Sequence, residues 1–175
     1  MESRAKLFGH PVHQMLVTFP IGAFGFSVAS DALHGYLGKR KFAHAATQAL
    51  DFGLISAALA VPFGAADFLA IPRGTRARRV GLWHAIGNVA MLGLFGASRV
   101  LRARGGSPSA AKWLSGSAFM LSGVTAWLGG ELVDRYGIGV ELDEHAPKSL
   151  PVSEDAPTLP GFGVTRAYRS VPAPR

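Results

Sequence analysis

Two histidines, His13 and His84, each stand nine residues ahead of the same short pattern. His13 leads to Gly22-Ala23-Phe24-Gly25 and then Ser27. His84 leads to Gly93-Leu94-Phe95-Gly96 and then Ser98. The shared pattern, H-x8-G-x-F-G-x-S, has no gaps. Two imidazoles at equal depth on facing helices are one way to give a b-type haem its axial nitrogens. On a helix, residues eleven apart fall within about 20° of one another, so Phe24 lies below His13 and Phe95 below His84, where both would pack under the haem ring. Asn88 shares a face with His84. Two carboxylates also take matching places, each four residues after an aromatic: Asp67 after Phe63 and Glu131 after Trp127. A carboxylate that accepts the second imidazole N–H fixes the tautomer of the ring. A different use of the same groups is a non-haem metal held by His10, His13, His84, Asp67 and Glu131 inside a helical bundle. A third is plain hydrogen bonding among these groups where helices end at an interface. Residue types and spacing leave all three open. His10 has no counterpart in the second half of the pattern.

The elements that must carry these residues follow from the distribution of charge. Apolar residues make up 49% of the 175-residue chain and charged ones 17%. The charges are clustered: Met15–Ser30, Phe52–Ala66, Val80–Ser98 and Trp113–Gly130 contain no Asp, Glu, Lys or Arg. A helix needs about 20 mostly apolar residues to cross the hydrocarbon of a bilayer. Four segments meet this, at 14–36, 45–70, 80–101 and 112–133. They predict an all-α integral membrane four-helix bundle over 1–140, with kinks at Pro20 and Pro62. The repeated pattern makes the bundle two copies of one helical hairpin, related by an axis along the membrane normal. Alternate helices run in opposite directions, so His10, His13, Asp67, His84, Asn88 and Glu131 collect at one leaflet. Asp31, His34, His44, Gln48 and Asp51 collect at the other, with Arg99 as a partner. The glycines of the pattern point away from the histidines and are expected at close helix contacts.

Beyond Asp134 the composition changes. Residues 141–175 hold Glu141, Asp143, Glu144, Glu154 and Asp155 among prolines from Pro147 to Pro174, and they read as a flexible, acidic, Pro-rich tail. The first apolar run is longer than a signal-peptide core and is expected to be a retained span. With no cysteine, thiolate metal sites and iron–sulfur clusters on this chain are excluded. The net charge of +7 comes largely from the short loops, where Lys and Arg set topology and meet anionic head groups. The expected partner is the lipid bilayer, with a redox protein as a further partner if a haem is bound, and nucleic acid is not expected. Arg4, Lys6, Arg73, Arg76, Arg78, Arg79 and Arg135 border the histidine-bearing leaflet. Lys39, Arg40, Lys41, Arg99, Arg102, Arg104 and Lys112 border the other. The balance alone does not orient the bundle, but the density of the Arg73–Arg79 loop favours cytoplasmic termini. No P-loop, dinucleotide fingerprint or nucleophile–base motif is present.

Three stretches, "HPVHQMLVTFPIG", "DFLAIPRGTRARRVGLWHAIGN" and "WLGGELVDRYGIGV", resemble unknown-function family 2231, small four-helix membrane proteins of bacteria. The matching positions are His10, Pro11, His13, Pro20, Asp67, Arg73, Gly74, His84, Asn88, Gly129, Gly130 and Glu131. The resemblance implies a bacterial inner-membrane location. Relatives read HPxHPMLVHFPIG in the first stretch, whereas Gln14 and Thr18 stand here in place of a proline and a third histidine. Some relatives are fused to Rieske iron–sulfur domains, which implies redox company for the family, but this chain carries no such domain.

Overall fold

The computed structural model describes residues 1–140. The predicted tail at 141–175 lies outside the described residues. The chain opens with a small antiparallel hairpin that the sequence did not suggest. Strand β1 (Lys6–Leu7) pairs with β2 (His10–Pro11). Phe8 and Gly9 turn between them with φ of 50° and 81°. A two-residue turn of this hand needs positive φ at both positions. Gly9 adopts that freely, whereas Phe8 takes it at some steric cost.

Helix α1 (Val12–Leu16) breaks at Val17 before α2 (Thr18–Leu37). The break falls one turn before Pro20, whose missing N–H and ring remove the bond to Leu16. The expected single helix with a kink is thus two consecutive pieces. Gly38, with φ of 67°, ends α2 by donating its N–H to the His34 carbonyl. Helix α3 (Arg40–Ala70) starts five residues before its predicted bound and passes through Pro62 without ending. Gly74 turns the chain at φ 82°, and the Thr75 hydroxyl caps α4 (Arg76–Ala103) by accepting from the Arg78 amide. Ser107 caps α5 (Pro108–Asp134) in the same way, with Pro108 in the first turn.

The helices pack as two hairpins. Helix α2 lies on α3, and α4 lies on α5. The hairpins meet through α3 with α4 and α2 with α5, and α1 rests on α3. The centre holds Phe24, Leu50, Ala57, Met91, Phe95 and Ala118. Outward positions carry large apolar side chains that remain uncovered, among them Phe26, Ile55, Val89 and Met120. Such a surface suits lipid rather than water. Three stretches are long and apolar enough to cross a membrane: Val12–Leu37, Arg40–Ala70 and Arg76–Ala103. The fourth helix, α5, is 27 residues long but falls short on hydropathy. Ser115, Ser117, Ser122 and Thr125 dilute its apolar run, as do four glycines.

One end of the bundle is covered by the N-terminal segment. Ser3 is buried and donates to both Asp67 oxygens at 2.8 and 2.9 Å, and the Arg4 amide adds a bond of 2.8 Å to the same carboxylate. The Gly139 amide donates to the Met1 carbonyl at 2.8 Å.

Candidate functional site

The His13 ring lies between α1 and α3. Its Nδ1 is 3.1 Å from the Ala60 carbonyl. A Cβ on Gly64 would come within 2.6 Å of His13 Cε1, so the ring occupies the space that a side chain would need. The second hairpin repeats this arrangement. His84 Nδ1 is 2.8 Å from the Thr125 carbonyl on α5, and a Cβ on Gly129 would come within 3.1 Å of His84 Cε1. A carbonyl only accepts, so Nδ1 carries the hydrogen in both rings. Asn88 Nδ2 lies 3.1 Å from His84 Nε2 and 2.9 Å from the His84 carbonyl. The amide nitrogen only donates, so His84 Nε2 accepts and the ring is the neutral Nδ1–H tautomer.

The serines of the repeated pattern also do the same job twice. Ser27 donates to the Ala46 carbonyl at 2.8 Å, and Ser98 donates to the Ala111 carbonyl at 2.7 Å. Ala46, Ala60 and Gly64 on α3 thus correspond to Ala111, Thr125 and Gly129 on α5, at identical spacing. The two hairpins are built alike at each of these contacts. Equivalent residues meet where the hairpins face each other. The Phe24 and Phe95 rings stack with centroids 3.9 Å apart and planes 11° from parallel, and both are buried. Seven residues beyond each phenylalanine stand Asp31 and Arg102. The Arg102 guanidinium forks onto both Asp31 oxygens, at 3.0 Å on one side, with the two side chains 13% and 6% exposed. Arg102 also reaches Ser98 and Ser115.

This geometry corrects several expectations. Phe24 and Phe95 stack on one another and fill the centre. The imidazole N–H groups are held by backbone carbonyls and not by Asp67 and Glu131. Asp67 is bonded to Ser3 and Arg4, and Glu131 accepts from Arg135 at 2.5 Å. The two acids are not equivalent, because the matched glycines align Asp67 with Leu132. His10 is exposed on β2. Among the described residues, no three His, Cys, Asp or Glu side chains converge as a metal would require. With both His84 nitrogens engaged and no slot between the phenylalanines, the arrangement does not fit a haem held by His13 and His84. Of the glycines of the pattern, Gly25 is at a close contact, where a Cβ would come within 3.3 Å of the Phe119 ring on α5. A Cβ on Gly22, Gly93 or Gly96 would meet nothing, whereas Gly53, Gly64, Gly87 and Gly129 are the positions pressed by neighbours.

At the other leaflet, Arg99, expected to partner the polar group there, pairs with Asp51. The Asp31–Arg102 pair was not anticipated, because Arg102 reads as a loop cation. Extending the repeat by two turns past Phe24 and Phe95 is the signal that finds it.

No curated protein and no solved structure matches the chain. A family model described as predicted membrane protein (DUF2231) matches residues 9–142. With its three long apolar helices the chain is a multi-pass membrane protein, and it belongs to the DUF2231 family of predicted membrane proteins.

Proposed function

We propose that this is a non-catalytic structural or assembly protein of a bacterial inner membrane. In this reading His13, His84, Ser27 and Ser98 hold helix pairs together and carry no cofactor. The observation behind the reading is the duplicate lock: an imidazole N–H on a backbone carbonyl, with the ring seated over a glycine, once in each hairpin. A ligand site built from one residue of each hairpin would have its donors turned toward a common space. Here each ring is turned into its own hairpin.

All four helices cross the membrane in this reading. For α5 the support is internal satisfaction of its polar groups, which hydrocarbon demands. Ser122 donates to the Phe119 carbonyl at 2.6 Å and Thr125 to the Ser122 carbonyl at 3.0 Å. Ser115 shares a 2.8 Å bond with Ser98 in the interior. The termini lie in the cytoplasm. Arg99 and Arg102 are tied to Asp51 and Asp31 within α4, so they belong to the bundle rather than to a loop. Lys6 and Arg135 are likewise tied, to Glu2 and Glu131, so five cations remain on each side. The support for this orientation is the concentration of Arg73, Arg76, Arg78 and Arg79 in one short segment.

The visible absorption spectrum of the purified protein tests the proposal. A colourless protein, with no haem recovered by extraction, is expected. A reducible Soret band that is lost in His84→Ala would overturn it.

A further inference from the structure

Arg73, Arg76 and Arg79 are exposed, and no ion pair or hydrogen bond among the described residues engages their guanidinium groups. Their neighbour Arg78 is different: it lies 3.8 Å over the Phe68 ring and donates to the Phe68 carbonyl. Arg76 and Arg79 share a helical stripe with Trp83, which is 63% exposed. Below Trp83 the stripe opens into a groove between α4 and α5, walled by Ile86, Ala90, Leu121 and Val124. Its floor is the contact of Gly87 with the Thr125 methyl, where a Cβ on Gly87 would come within 2.5 Å. From Arg76 to Ala90 the stripe is about 20 Å long. That length matches a phospholipid glycerol backbone and most of one acyl chain.

The first hairpin supplies an internal comparison. By the repeat, Leu16 and Phe19 stand where Gly87 and Ala90 do. Both positions are bulky there and small in the second hairpin, and the segment matching Arg76–Arg79 falls at the β1–β2 hairpin rather than on a helix. Helix-borne arginines and a pair of small residues below them therefore occur together in the second hairpin.

We propose that Arg76, Arg79 and Trp83 bind the head group of an anionic phospholipid, with one acyl chain seated in the α4–α5 groove. Arg73 borders the same site. The guanidiniums answer the phosphate charge, the indole sits at head-group depth, and the groove takes the chain. The site rests on the spanning arrangement proposed above and needs no assumption about cofactors.

The test uses the full chain with Trp113→Phe and Trp127→Phe, which leaves Trp83 as the sole indole, reconstituted in vesicles of phosphatidylcholine and phosphatidylglycerol. Brominated phosphatidylglycerol is expected to quench Trp83 more strongly than brominated phosphatidylcholine at equal mole fraction. A basic residue at an anionic surface is worth about fivefold in association, so R76Q/R79Q is expected to lower the preference roughly 25-fold. Ala90→Phe, which copies the first hairpin and keeps both arginines, is expected to lower it by filling the chain groove. Equal quenching by both lipids, or a preference that R76Q/R79Q leaves intact, would overturn the site. So would displacement of the lipid by soluble glycerol phosphate, which would mark a free-anion site. Absence of quenching by either lipid would overturn the spanning arrangement itself.

Discussion

Phe24→Ala is expected to lower the unfolding free energy of the detergent-solubilised protein by about 2–3 kcal/mol, the cavity share of the cost of removing a buried phenylalanine. The ring is held on two sides: Phe95 stacks on one face, and Gly53 on α3 lies so close that a Cβ there would come within 2.5 Å of the ring. In a membrane the lost term is packing and not water exclusion, since lipid tails are as apolar as the ring. The cavity therefore dominates, and its walls come from different helices that cannot all close on it. Phe95→Ala is expected to cost a similar amount. The double variant is expected to cost less than the sum, because the two rings share one contact. Equilibrium unfolding in mixed micelles measures all three. A loss under about 1 kcal/mol for either single variant would contradict the stacked centre.

Asp31→Ala is expected to be at least as damaging, at about 3–5 kcal/mol, because it leaves the Arg102 charge inside the bundle without its partner. The pair is nearly fully enclosed, and Ser98 and Ser115 cannot neutralise a guanidinium. Asp31→Leu combined with Arg102→Met removes both charges and keeps apolar volume. That double variant is expected to recover most of the loss. Thermal unfolding in detergent distinguishes the cases. If Asp31→Ala and the double variant were equally unstable, the carboxylate would be needed for something other than balancing Arg102.

Much of this architecture could be read from the chain. Charge-free runs located the helices, and the H-x8-G-x-F-G-x-S pattern brought out the duplicated hairpin before any contact was known. Helical counting put Phe24 below His13 and Phe95 below His84, but it did not bring out that the two rings stack on one another. What periodicity could not supply was the direction of each polar group. Counting places His84 and Glu131 at one leaflet, yet the imidazole takes the Thr125 carbonyl because that oxygen lies directly across the α4–α5 seam. Glu131 turns instead to Arg135, one turn along its own helix. Charge arithmetic misled in a similar way. Arg102 looks like a loop cation until the repeat is extended to Asp31, since nothing in the residue itself marks a buried ion pair. Composition also overstated the match of the acids: Phe63-Asp67 and Trp127-Glu131 share a spacing, but the glycines beneath the histidines set the true alignment one residue away. The β1–β2 hairpin was missed because its strands are too short to show alternation.

The duplicate lock itself is most directly examined by the nitrogen-15 spectrum of histidine-labelled protein in bilayers, with signals assigned from His13→Gln and His84→Gln variants. Protonated and bare ring nitrogens are distinct in such spectra. Both rings are predicted to carry the hydrogen on Nδ1, and the His84 Nε2 signal should be that of a neutral nitrogen accepting a hydrogen bond, shifted in Asn88→Ala. An Nε2–H tautomer at either ring, or iron-broadened signals from His13 and His84, would contradict the account.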